Sequence, residues 1–210
     1  MSVGITRLED AKAVEPKRRD GRGRLLDGAR QLLAEKGYAG MELRDVAERG
    51  DAPRGSIYHH FPGGKAQLAA EAAALEGEEI RAAIERSLAE RGLGETLTMF
   101  GEMFRRRVKD RPERLGCPVA AAALARPEDS ALAAAATVAF QSWEEPIAAA
   151  LRSEGVTAKD AAAFAGLVVS TVEGALIRAR AAGDQAPLDS AVAGLRRALE
   201  SLLDAGRAGS

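Results

Sequence analysis

Alanine fills 45 of the 210 positions, and no other feature narrows the fold so far. Alanine is the best helix former, whereas sheet cores draw on β-branched and aromatic residues. Aromatic residues make up only 4% of this chain. Apolar residues at 46% and charged residues at 29% are enough for a packed core, and the length fits one domain or two small ones. The expected fold class is therefore all-α. A single cysteine excludes a disulfide framework within the chain and a cysteine-built metal site. The longest apolar run, 161–172, falls short of the roughly 20 residues of a membrane span. No secretory signal is evident in the polar N-terminal stretch, so a cytoplasmic protein is expected.

Apolar periodicity then divides the chain. Leu25, Leu26, Ala29, Leu32 and Leu33 recur at helical spacing until Gly37, which predicts a first helix over 22–36. Leu43, Val46 and Ala47 mark a short second helix over 42–49. After the break Gly50-Asp51-Ala52-Pro53, a third runs from Arg54 to His60 and stops before Pro62-Gly63-Gly64. A longer helix followed by two short ones with a tight turn between them is the helix-turn-helix plan.

Further along, a fourth helix from Lys65 carries Leu68, Ala72, Leu75, Ile80, Ile84 and Leu88 and breaks at Gly92 and Gly94. A fifth carries Leu97, Phe100, Phe104 and Val108, with Pro112 beyond its end. Gly116-Cys117-Pro118 opens an alanine-rich helix, and Pro127 opens the next, which Pro146 is expected to bend. Thr157 and Gly183 bracket a helix over 158–182. Leu188, Val192, Leu195, Leu199 and Leu202 stripe the last. The total is about nine helices.

Charge is distributed unevenly. Residues 16–65 hold 11 Lys and Arg against 7 Asp and Glu, whereas 66–210 hold 17 against 21. A basic head on an acidic body points to a polyanion partner for the head. The run Lys17, Arg18, Arg19, Arg22, Arg24 sharpens this. The division expected is a disordered arm at 1–15, a helix-turn-helix DNA-binding domain at 16–65, and a body at 66–210 that the family resemblance described below implies is an effector-binding and dimerisation domain.

The third helix carries the candidate chemistry. Ile57 and Phe61 lie four apart and can anchor it to the first two helices. Its other face is small or donor-rich, as a helix entering a major groove requires. Tyr58 and Lys65 suit phosphates, Arg54 suits phosphate or guanine, and Gly55 and Ser56 permit close approach. His59 and His60 point about 100° apart on a helix and cannot chelate one ion in the usual way, so no metal is expected. No cofactor motif or catalytic constellation appears, which argues against an enzyme. A partner-binding module whose basic head meets acidic protein remains an alternative, as does a ligand-responsive activator.

Residues 22–68 resemble the DNA-binding domain of TetR-family transcriptional repressors. The resemblance rests on L-R-D-V-A in the second helix and G-S-I-Y-H-H-F-P-G-G-K after it. The segments G-C-P-V at 116–119, S-W at 142–143 and V-E-G-A-L at 172–176 resemble the LmrA/YxaF-like branch. Two positions depart from the family pattern. Met41 and Glu42 stand where a Thr or Ser usually begins the second helix, which leaves more of the contact to Arg44. Asp51 stands where the turn usually has Gly, a position that commonly needs φ > 0.

The resemblance implies a homodimer on palindromic double-stranded DNA, released by a small apolar, aromatic effector. Its implied DNA contacts are Arg44, Arg54, Gly55, Ser56, Tyr58, His59 and Lys65. Phe100, Met103, Phe104, Cys117, Phe140, Trp143 and Thr171 would line the effector pocket, with Glu173 nearby. Val168, Val172, Ala175, Leu188, Val192, Leu195 and Leu199 would form the dimer interface. Cys117 beside Arg114 could also act as a redox sensor if its thiol pKa were lowered.

Overall fold

The computed structural model describes residues 20–53, 55–107 and 116–208. They form eight helices: α1 (Gly21–Gly40), α2 (Leu43–Arg49), α3 (Gly55–His60), α4 (Gly64–Arg107), α5 (Pro118–Leu124), α6 (Ser130–Ser153), α7 (Ala158–Ala182) and α8 (Ala186–Ala208). No strand occurs among the described residues. The ninth element expected from the sequence is the second arm of α4. The backbone leaves helical geometry at Gly92 (φ 79°, ψ −177°), where the sequence places the break, and helix resumes at once. The Thr96 hydroxyl donates to the Gly92 carbonyl at 2.8 Å and lies 3.0 Å from the Ser87 hydroxyl, so both buried hydroxyls are satisfied.

Helices α1–α3 form the head. Leu25, Leu26, Ala29, Leu32 and Leu33 of α1 are buried with Val46, Ala47, Ile57 and Phe61. The Asp20 carboxylate caps α1 by accepting from the Gly23 N–H at 2.7 Å. The turn after α2 is a Schellman motif, with Ala52 N–H donating to the Ala47 carbonyl (3.0 Å) and Asp51 N–H to that of Glu48 (3.2 Å). Asp51 takes the left-handed position at φ 46°, alone among the described non-glycine residues. Arg24 clamps the turn to α1 by donating to the Gly50 carbonyl at 3.0 Å and to that of Asp51 at 3.4 Å. Replacing Asp51 by Gly relieves the left-handed strain while leaving these backbone bonds intact. It is expected to stabilise the fold by about 0.5–1 kcal/mol, read as a higher Tm. A lower Tm would mean that the Asp51 side chain contributes more than its backbone costs.

The body is built on α4. Its first arm packs on α6 and its second on α8. The Trp143 indole N–H donates to the Gly77 carbonyl at 2.9 Å, which ties α6 to α4. Helix α6 starts later than Pro127, because Asp129 caps it by accepting from the Leu132 N–H at 2.9 Å while 125–128 form a turn. It continues as one helix through Pro146. Helix α7 has its caps where the sequence puts them, with Thr157 accepting from the Asp160 N–H and Gly183 left-handed. Its length and composition would suffice to cross a membrane, more than the 12-residue run suggests. Here Phe164, Ala165, Val168, Val172 and Leu176 are instead buried between α6 and α8.

Candidate nucleic-acid interface and the junction behind it

Helix α3 is held by one side and open on the other. Ile57 (1% exposed) and Phe61 (0%) anchor it in the head core, while Tyr58 is 62% exposed. Gly55 and His59 are also exposed, and a Cβ on Gly55 would meet no described atom within 4 Å beyond its chain neighbours and its own helix backbone. The Ser56 hydroxyl donates to the Pro53 carbonyl at 2.6 Å, which ties its side chain back to the turn before α3. His60 is half-buried beside Gly21 of α1 and Phe61, and the Arg22 guanidinium lies 5.0 Å over the Phe61 ring. Arg54 lies outside the described residues, as do Lys17, Arg18 and Arg19.

Two further cations flank this face. Arg44 is exposed and, among the described residues, pairs with the neighbouring Asp45 carboxylate at 3.3 Å. Lys36 of α1, 2.7 Å from Asp45, holds that carboxyl below its usual range and links α1 to α2. Lys65 folds back: its ammonium donates to the Ala39 carbonyl at 3.2 Å and sits 4.8 Å over the Tyr38 ring. Part of its capacity for a phosphate is thus already used. Met41 is fully buried, and Glu42 is exposed at the N-cap of α2 without making a capping bond. The departure from a Thr or Ser therefore leaves this helix end uncapped by a side chain.

Behind this face, charged groups join head to body. Arg30 of α1, largely buried, forms ion pairs with Glu76 and Glu79 of α4. Its Nε donates to Glu76 at 2.9 Å and one terminal nitrogen to Glu79 at 2.6 Å. Burial alone would lower the Arg30 pKa, but the hydrogen bonds and charges of the two glutamates outweigh it and raise the pKa. Glu76 is 1% exposed. Sequence reading missed this pair, although it left a trace. Glu76 occupies the row 68, 72, 76, 80, 84, whose other members are the apolar Leu68, Ala72, Ile80 and Ile84. A carboxylate in such a row implies a buried cation opposite.

A second tie runs to α7. Gly37 (φ 71°, ψ 177°) interrupts α1 and frees carbonyls of its last regular turn. Arg180 of α7 donates to two of them, Ala34 at 2.9 Å and Glu35. Beside them Gly116 packs directly on Ala34, so that a Cβ there would fall 2.3 Å from the Ala34 carbonyl oxygen.

A cavity of about 420 Å³ opens at this junction between the end of α1, α5 and α7. Leu33, Tyr38, Ala121, Leu124, Leu176 and Ile177 supply its apolar walls, and Cys117 and Glu173 also line it. Burial pushes the Glu173 carboxyl up to about 7; the Cys117 thiol, which hydrogen-bonds to it, pulls it down, and the Glu76 charge adds to the rise. Burial and the same carboxylate push the Cys117 thiol well up, the opposite of what a thiolate sensor needs. Arg114 lies outside the described residues.

Of the residues expected around an effector, Cys117 and the neighbouring Glu173 line this cavity. Phe100, Phe104 and Trp143 are buried in the core, Met103, Phe140 and Thr171 are partly buried, and Phe140 meets Trp143 edge to face at 5.2 Å. The seven residues expected at a dimer interface are buried as well. Val168, Val172, Ala175, Leu188, Val192, Leu195 and Leu199 are all at most 8% exposed within the single chain. Their stripes pack α7 and α8 against the chain's own core. On the outer face of α7, Leu167 (48%) and Ile177 (65%) are exposed, with Ser170 and Gly174 between them.

Comparison with known proteins fits this geometry. Residues 25–72 match the family model for bacterial regulatory proteins of the tetR family, and residues 94–193 match the C-terminal domain of LmrA/YxaF-like transcriptional regulators. An uncharacterised HTH-type transcriptional regulator of Mycobacterium tuberculosis is 34% identical over 174 residues, covering 80% of this chain and 88% of the relative. YxaF of Bacillus subtilis is 28% identical over 177 residues, 81% of this chain and 91% of its own. LmrA of the same organism is 45% identical over 62 residues, 30% of this chain and 33% of its own. Among solved structures, a TetR transcriptional regulator from Legionella pneumophila superposes with a TM-score of 0.77 at 21% identity, covering 86% of this chain and 97% of that one. One from Chloroflexus aurantiacus gives 0.69 at 26% identity, covering 85% and 93%.

Proposed function

Because the chain belongs to the TetR family of bacterial regulatory proteins, in its LmrA/YxaF-like branch, we propose that it is a homodimeric repressor that reads a palindromic operator through α3. The observation that carries this reading is the two-sided character of α3, with Ile57 and Phe61 buried and Tyr58, His59 and the bare Gly55 facing outward. In this reading Tyr58, Arg44 and Lys65 hold phosphates, while Arg54, Gly55, Ser56 and His59 meet the groove. Two heads must stand about 34 Å apart to meet successive turns of one duplex face. The outer stripe of α7, Leu167, Ser170, Gly174 and Ile177, supplies the surface on which two copies would pair. It is apolar or small, so two such helices can approach closely.

A small apolar effector completes the reading, releasing DNA by binding better to a form in which the heads no longer match the operator. The junction cavity supports this part, since its walls come from both the head and the body. Catalysis has no role in the proposal, and the protein would act in the cytoplasm, where its DNA is.

The test is selection of genomic duplex fragments followed by gel shifts across a salt series. Affinity is expected to fall steeply with salt, and Tyr58→Phe, which removes one exposed hydroxyl, to weaken binding about five- to tenfold at unchanged Tm. Binding without preference for any duplex sequence would favour a partner-protein role for the basic head. Transcription from the selected promoter, with and without the protein, gives the sign of regulation.

A further inference from the structure

The junction cavity has a chemical bias that shape alone does not convey. Four charged groups line it: Lys36, Arg180, Glu128 and Glu173. Both cations are already engaged, Lys36 with Asp45 at 2.7 Å and Arg180 with the carbonyls of Ala34 and Glu35. The carboxylates are not balanced in this way. Glu128 makes no ion pair among the described residues, and Glu173 has the Cys117 thiol as its hydrogen-bonding neighbour, with Glu76 adding a like charge. Tyr38, also in the wall, feels the charges of Asp129 and Glu128. The lining thus offers two carboxylates with no ion-pair partner among the described residues, set in an otherwise aliphatic wall. A volume of about 420 Å³ lies within the usual range for small organic ligands.

We propose that this cavity binds a small molecule with an apolar body and a cationic amine head, the head seated on the Glu173 carboxylate and the body between α5, α7 and the end of α1. An ammonium there gains a charge-assisted hydrogen bond in a partly dry site, whereas an anion of equal size meets uncompensated carboxylates. The physiological ligand is thus a lipophilic amine by class. Such a ligand touches Leu33 and Tyr38 of the head and Leu176 and Ile177 of α7 together. Its effect on DNA rests on the functional reading above; its binding does not.

Calorimetric titration of the full chain with 4-phenylbutylamine, 4-phenylbutanol and 4-phenylbutyrate separates head-group chemistry from hydrophobic fit. The amine is expected to bind at least about tenfold more tightly than the carboxylate, with the alcohol between. Glu173→Gln, close in shape to the protonated side chain, should bring the amine to the level of the alcohol, and Ala121→Phe, which fills the cavity, should weaken all three. No saturable binding of the amine, or an amine preference unchanged by Glu173→Gln, overturns the proposal. Operator affinity measured with saturating amine tells the two readings apart. Glu173-dependent binding that leaves DNA affinity untouched upholds the site and removes ligand release from the functional reading.

Discussion

Glu76→Ala is expected to cost the folded chain about 3–5 kcal/mol, the usual penalty for removing one member of a buried ion pair. The substitution leaves the Arg30 guanidinium, itself mostly buried, without its inner partner. Glu79 and Asp27 remain, but their side chains are 41% and 34% exposed, and Asp27 stands 3.8 Å away. Urea unfolding should show a lower midpoint at unchanged slope. A double replacement, Arg30→Met with Glu76→Leu, removes both charges and should recover most of the loss, because the pair owes its importance to mutual neutralisation. A loss below about 1 kcal/mol for the single variant would mean that water reaches Arg30 and that the pair is a surface contact in energetic terms. The pair bridges α1 and α4, so weakening it should also loosen the head on the body.

The second large effect depends on pH. The Glu173 carboxyl stands at about 7 in the folded chain against an ordinary value of 4.5. Below the lower value the group is protonated whether the chain is folded or not, and it contributes nothing. Between the two values the unfolded chain releases the proton and the folded chain keeps it. Folding then requires proton uptake, so this group's contribution to stability falls as pH rises and levels off above about 7. The full fall is up to about 3 kcal/mol. Glu173→Gln cannot ionise and should escape it. The stability of Glu173→Gln minus that of the natural chain is therefore expected to grow between about pH 5 and pH 7.5 and then stay constant. Parallel profiles for the two proteins would show that the carboxyl ionises as freely in the fold as in water.

Much of the fold was legible in the sequence because its punctuation is local. Thr157 and Gly183 are capping residues whose effect needs no distant partner, and they bound α7 as expected. Gly92 interrupts α4 through its own backbone angles. Asp51 takes the left-handed position that the turn demands. The anchor pair Ile57 and Phe61 could be read from a four-residue spacing. What was missed depends on three-dimensional choice. A stripe such as Val168, Val172 and Ala175 announces a buried face without saying whether the burial lies within one chain or between two, and here it lies within. The aromatic residues of α4 and α6 gave the same ambiguity. The 420 Å³ cavity lies where Gly37 ends the regular part of α1 and alanines of α5 leave room. Small residues leave space without announcing it in a hydropathy pattern.

Gly55 offers the most direct test of the claim that α3 is the reading helix. Its surroundings are open, with no described atom beyond its chain neighbours and its own helix backbone within 4 Å of where a Cβ would stand, so the fold leaves room for a side chain there. On the DNA side the same side chain would occupy the space that a groove wall needs. Binding of Gly55→Trp to duplexes selected by the natural chain, measured beside its thermal unfolding, is the decisive comparison. The expected result is an unchanged Tm and a loss of at least about 100-fold in operator affinity. Full operator affinity in a normally folded Gly55→Trp protein would contradict the placement of α3 in the groove, and with it the account of how this chain meets DNA.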